Sequence, residues 1–209
     1  MVERSKDPWG VWVFRISEEK WEKECIHGVF KLKRAKIKLV AWACIWGRSK
    51  RPLIPIFDKS VNRWIYIRVL KDGLIDTWQE AEDTIEDPVF HQGNAKIHIP
   101  ADTIAWLEEN RIQVMKWPPN SPDINPIQHC WKRLKKKMNR RFPNIHKTKG
   151  GPDTVRICLA VALNEVWMKD IKGDFLERLW ESMPMRVAAI LDSKGWYTKY
   201  WFFKKFFYF

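Results

Sequence analysis

Apolar residues fall in short blocks along the chain, and their period changes from one block to the next. Trp12 to Phe14 reads as the end of a short strand. Ile37 to Trp46 is β-branched, aromatic and nearly continuous, the pattern of a buried central strand. Gly47 to Pro52 is a basic turn, and Leu53 to Phe57 predicts the next strand. Val61 to Trp78, with Trp64, Ile65, Ile67, Val69, Leu70 and Leu74, predicts a helix. Asp76 to Asp87 holds six acids and no base, which reads as a solvated helix end and loop. Pro88 to Gln92 predicts a short strand stopped by Gly93-Asn94. Thr103 to Asn110 predicts a helix, and Ile112 to Trp117 a strand. Three prolines exclude regular structure over Trp117 to Pro122, because each fixes φ and removes a donor. Asn125 then Pro126 reads as N-cap and first position of a helix running to about Arg141. After Gly150-Gly151, two helices are predicted near Asp153 to Met168 and Asp174 to Leu191. Strands, then alternating helix and strand, then helices imply an α/β fold, a mixed sheet with helices on its faces. No internal repeat is present.

The helix after Asn125 carries two patterns. Ile127, Trp131, Leu134 and Met138 form one apolar stripe, and Gln128, Lys132, Lys135 and Asn139 recur at helical spacing on another face. From His129 to Lys149 there are nine Lys or Arg and no acid. Lys132, Arg133, Lys135, Lys136, Lys137, Arg140 and Arg141 are therefore candidate phosphate contacts. A solvated basic face is the plainer alternative, and Lys132 to Lys137 also fits a nuclear localisation patch.

Composition sharpens this. The 209 residues hold 38 Lys or Arg against 25 Asp or Glu, a formal net charge of +13, so a polyanion is the expected partner. Hydrophobic residues at 45% and charged residues at 30% mark a globular chain. The longest strongly apolar run, Leu39 to Trp46, is too short to span a bilayer, and no signal peptide is evident at the start. Four cysteines without a CxxC pair read as an intracellular, reduced protein. Cys25 and His27 lack a second pair at zinc spacing, so ordinary packing is expected of them.

Two segments carry a resemblance. Phe90-His91-Gln92-Gly93-Asn94-Ala95-Lys96-Ile97-His98, then Trp106-Leu107, and then Trp117-Pro118-Pro119-Asn120-Ser121-Pro122-Asp123-Ile124-Asn125-Pro126-Ile127-Gln128-His129-Cys130-Trp131 resemble the Tc1/mariner transposases. Trp12-Val13-Phe14-Arg15 and Trp42-Ala43-Cys44-Ile45-Trp46-Gly47 resemble the fungal branch. Ser182-Met183-Pro184, Arg186, Lys194-Gly195 and Thr198-Lys199-Tyr200 resemble the family's C-terminal end. The resemblance covers roughly residues 11 to 200. It implies an RNase H-like catalytic domain over 1–200, with 201–209 as an aromatic and basic tail. It also implies cut-and-paste DNA transposition, double-stranded DNA as partner, nuclear location and no membrane, and it allows a homodimer. Three carboxylates would hold two Mg²⁺ ions, hard cations that prefer anionic oxygen.

The chain departs from that pattern where the chemistry lies. The second acid position is occupied by Gly93 and the third by Gln128, with 34 residues, 94 to 127, between them as in the Tc1 spacing. The resemblance places the first acid on a strand just before Met1, so the sheet's first strand is expected to be missing, as is an N-terminal helix-turn-helix region. Gln128 keeps the shape of Glu without its charge, and Gly93 offers no ligand. Asp123 sits in the loop before the helix and is not expected to substitute. Mg²⁺, the cofactor the resemblance implies, is accordingly not expected to be held here. A catalytically inactive transposase domain, a relic or a domesticated gene, is the leading expectation. A DNA-binding or protein-interaction module, an endonuclease with substitute ligands and a fold too damaged to be stable are the alternatives. The tail is expected to be frayed, against packing on the body, contacting a partner or lying on a membrane surface.

Overall fold

The computed structural model describes residues 2–6, 12–16, 38–58, 60–93, 95–116, 121–193 and 198–200. Cys25, His27, Asn94, the 117–120 proline segment and the 201–209 tail lie outside these residues. The chain divides into two units, residues 1–36 and 37–209.

The first unit is a hairpin of β1 (Val2–Lys6) and β2 (Trp12–Ile16), antiparallel from Val2 opposite Ile16 to Lys6 opposite Trp12. No strand was expected over Val2–Lys6. Its sequence, Val-Glu-Arg-Ser-Lys, has no apolar alternation, so the signal for this strand is the ladder to β2.

In the second unit the expected central strand is divided. β3 (Val40–Trp42) pairs with β6 (Ile54–Ile56), while β4 (Ile45–Trp46) pairs with β5 (Ser49–Lys50). The partner changes at Ala43-Cys44, which apolar content alone does not signal. Gly47 closes the β4–β5 turn at φ +48, a backbone region that favours glycine. Arg48 in that turn pairs with Asp174 and Glu177, and Trp180 Nε1 donates to Gly47 O at 2.8 Å. Of the segments expected as strands, 88–92 and the described part of the next, 112–116, meet in one parallel bridge, Phe90 to Val114. Phe90 N donates to Gln113 O at 2.7 Å and Met115 N to Phe90 O at 2.9 Å.

The predicted helix over 61–78 bends at Leu74 into α1 (Arg63–Gly73) and α2 (Ile75–Glu82). Asn62 caps α1 by accepting from Ile65 N at 3.0 Å. Gly73 is required at its end: a Cβ there would stand 2.5 Å from Ile54 Cδ1 and 2.6 Å from the Trp42 ring. Thr77 Oγ1 donates to the Gly73 carbonyl at 2.7 Å, the kind of local bond that bends a helix. The acidic stretch is partly helical, with Thr77, Trp78 and Ala81 turned inward. α3 (Ala101–Glu109) completes a core of Tyr66, Ile67, Leu70, Leu74, Trp106, Leu107 and Ile112.

The larger core joins Leu39 and Leu53 to three helices: α4 (Pro126–Arg141), α5 (Pro152–Asp170) and α6 (Gly173–Glu181). The buried stripe of α4 is Pro126, Cys130, Leu134 and Met138. Ile127 and Trp131, expected within that stripe, are half-buried at its margin. Trp131 stacks on Trp167 of α5 with ring centroids 5.5 Å apart. The predicted helix over 174–191 breaks at Ser182, and α7 (Met183–Asp192) starts anew. Pro184 in the first turn of α7 explains the break, since it cannot donate to the preceding turn. Among the described residues no helix is long and apolar enough to cross a membrane.

Candidate functional site

The segment after the Phe90 bridge is fastened from three sides. Tyr66 OH, on α1, donates to Gln92 Oε1 at 2.6 Å, and burial raises the phenol's pKa and keeps it protonated. Gln92 Nε2 donates to His98 O at 3.3 Å. The His98 ring stacks on Tyr66 at 4.4 Å and bonds through Nδ1 to Gly93 O. These contacts hold Gly93 against the start of α4. A Cβ on Gly93 would find nothing nearer than Asn125 Nδ2 at 3.9 Å, and its backbone lies outside the left-handed region.

Gln128 stands in the first turn of α4, its N–H bonded to Asn125 O at 3.1 Å. The structure therefore brings the two sequence-predicted positions together. Gly93 and Gln128 line one cavity of about 730 Å³, with Asn125, Tyr66, Phe90 and Trp131 among its walls. Among the described residues, Asp87 is the one carboxylate on that lining. Burial pushes His91 down to about 4, so it faces the cavity as a neutral ring near neutral pH.

Asp123 is not on that lining. It is buried, with its carboxylate accepting from Thr198 Oγ1 at 3.1 Å and its carbonyl accepting from Arg186 Nη1 at 2.7 Å. It ties the loop before α4 to α7. Arg186 also donates to Ser182 Oγ and to His129 Nε2, at 2.7 and 2.6 Å. Burial, then the Arg186 and Lys132 charges, hold His129 down at about 4.

The donor set does not fit two divalent ions. Among the described residues the lining offers a single carboxylate, Asp87, which cannot balance charges that repel strongly at close range. Among the described residues, no three His, Cys, Asp or Glu side chains converge as metal ligands.

The basic run divides between two flanks of α4. Lys132, Lys135 and Lys136 share the flank of Gln128 at helical spacing. Burial, then the Lys136 charge, hold the Lys132 ammonium below its usual range. Arg133, Lys137, Arg140 and Arg141 turn to the opposite flank, beside Lys169, Asp170 and Lys172. There Lys137 and Arg141 pair with Asp170 at 3.1 and 2.9 Å, and Arg141 with Glu165 at 3.3 Å. Sequence reasoning missed Lys169 and Lys172. Their only signal is the alternation Lys169-Asp170-Ile171-Lys172, which says nothing of α4 as its neighbour.

Comparison with known proteins agrees with this frame. Residues 34–149 match the family model described as DDE superfamily endonuclease. The chain is 30% identical over 162 residues to the Transposable element Tcb1 transposase of Caenorhabditis briggsae, covering 78% of this chain and 54% of that one. It is 28% identical over 162 residues to the Tc1 transposase of Caenorhabditis elegans, with the same shares covered. The chain thus spans about half the length of these relatives. Among solved structures, the catalytic domain of Mos1 mariner transposase superposes with a TM-score of 0.56 at 19% identity, covering 77% of this chain and 75% of that one. The Mos1 mariner paired end complex with Mn gives 0.57 at 17% identity, covering 94% and 52%. These likenesses carry the fold, a mixed α/β RNase H-like architecture of small sheets flanked by helices. The chain belongs to the DDE superfamily endonuclease family and, within it, to the Tc1/mariner transposase type.

Proposed function

We propose that this transposase-derived domain contacts duplex DNA through the Gln128 flank of α4 and has lost two-metal strand cleavage. The observation that carries the reading is the occupancy of the two matched acid positions. Gly93 and Gln128 meet at one cavity, as the family's second and third acids would, and neither brings a charge. The relatives are transposases, and Mos1 domains are known with Mg and with Mn. Here the corresponding positions supply one neutral oxygen.

The basic flank supports retained DNA contact. Lys132, Lys135 and Lys136 follow Gln128 along the helix, so a backbone running past the cavity meets them in turn. Within this reading the domain acts in the nucleus, where its polyanionic partner lies.

Two outcomes follow. Purified protein gives no nicking of a transposon-end duplex with Mg²⁺ or Mn²⁺, and neither ion raises its melting temperature. Metal-dependent nicking by protein free of contaminating nuclease overturns the loss of catalysis and makes Asp87 the ligand to replace first. Duplex affinity is sequence-tolerant and falls with salt. Replacing Lys132, Lys135 and Lys136 by Ala lowers the slope of log K against log salt by roughly 0.9 for each phosphate that is no longer neutralised. An unchanged slope returns those lysines to a merely solvated face.

A further inference from the structure

The second flank of α4 has a different geometry. Arg133, Lys137, Arg140 and Arg141 meet Lys169 and Asp170 at the end of α5 and Lys172 before α6, around a concavity of about 600 Å³. Six cations face one carboxylate there. Asp170 anchors three of them: its side chain pairs with Lys137 and Arg141, and its carbonyl accepts from Arg133 Nε at 3.4 Å. Arg133 is further seated over the Phe175 ring at 4.5 Å. Burial works to raise the Asp170 carboxyl, but Lys137 and then Arg141 outweigh it and hold it below the usual range. The anchor is therefore an anion at neutral pH.

Cations at helix C-termini are ordinary, so the first question is whether the fold itself uses all six. The C-termini of α4 and α5 contribute about half a negative charge each, and the N-terminus of α6 about half a positive one. Asp170 and Glu165, the latter bonded to Lys169 at 3.0 Å and Arg141 at 3.3 Å, contribute one each. Together these offset less than half of the positive charge. Arg140 and Lys172 are exposed and have no ion pair among the described residues. A lone phosphate monoester, at about two negative charges, would leave part of the remainder. A duplex is also a poor match: its phosphates lie along a convex rod, whereas these cations converge on one hollow.

We propose that this concavity binds a compact anion of the linear polyphosphate class, with Arg133, Lys137 and Arg141 pre-positioned by Asp170 and with Arg140 and Lys172 closing on the ligand.

The test is titration calorimetry of the full chain with inorganic tripolyphosphate at constant ionic strength, with sulfate as the simple-anion control. Saturable one-site binding is expected, with sulfate not competing at equal charge. Arg140→Ala with Lys172→Ala, two exposed positions outside the core, weakens tripolyphosphate roughly tenfold or more and leaves the salt slope for duplex unchanged. Lys132→Ala with Lys136→Ala does the reverse. Binding that is absent, or displaced by sulfate, overturns the proposal, as does equal weakening by both pairs, which would mean diffuse attraction to net charge. If the Arg140/Lys172 pair instead lowers duplex affinity and spares tripolyphosphate, the hollow belongs to the DNA face and the proposal fails. Failure of the duplex reading is read separately, from the Lys132 series.

Discussion

Trp167→Ala lowers the unfolding free energy by about 4 kcal/mol. Trp167 is fully buried between α4 and the strands, and its ring stacks on Trp131. Its Nε1 donates to Arg51 O at 2.7 Å, fixing the approach of the chain to β6. Truncation opens a large void where α4, α5 and β6 meet and leaves a carbonyl without its donor. Urea denaturation followed by far-ultraviolet circular dichroism measures the loss. A change under about 1 kcal/mol would show that this core does not hold α4 in place. Trp167→Phe, which keeps most of the ring volume, is expected to recover more than half of the loss.

Arg186→Met is the second large effect, at roughly 3 kcal/mol. Arg186 is 2% exposed and serves three acceptors on different segments: Asp123 O, Ser182 Oγ and His129 Nε2. Methionine fills the space and donates to none of them. The pH profile gives an independent readout. His129 titrates at about 4 in the folded chain against an ordinary 6.5. Because the folded value is depressed, the unfolded chain takes up this proton first, and stability drains away as pH falls from 6.5 toward 4. Burial is the larger cause and persists in the variant. The Arg186 charge is removed, so the His129 pKa rises and the acid-side loss becomes smaller. Chemical shifts of the His129 ring follow this directly, and an unmoved titration would mean that Arg186 does not act on His129.

The helices were legible because their signals are local. Asn125-Pro126 fixed the start of α4, and the start of α5 follows the Gly150-Gly151 pair. The strands were less so. β1 is written in polar residues and is specified by β2, while Ala43-Cys44 divides a continuous apolar run through a change of partner. The break at Ser182 was present in the sequence as Pro184 but was outweighed by the apolar pattern around it. The meeting of Gly93 and Gln128 was legible only through motif spacing, since the two lie on separate elements. The basic run was legible as charge. Its division into two faces was not, because that depends on Asp170 and Lys172 arriving from α5 and the segment after it.

The open space beside Gly93 bears on how the site could be rebuilt. A Cβ at that position meets nothing nearer than 3.9 Å, and the Tyr66–Gln92–His98 clasp holds the backbone there in place. A substitution at 93 therefore starts from a backbone that already accepts a Cβ. In the genetic code, glycine and an acidic residue differ by one second-position base, and glutamine and glutamate by one first-position base. Two point mutations thus separate these positions from carboxylates, and the Cβ of the first meets no steric barrier at 93. Under the proposed loss of catalysis, a carboxylate placed at 93 therefore tests the chemistry of the cavity, because the backbone there already has room for its Cβ.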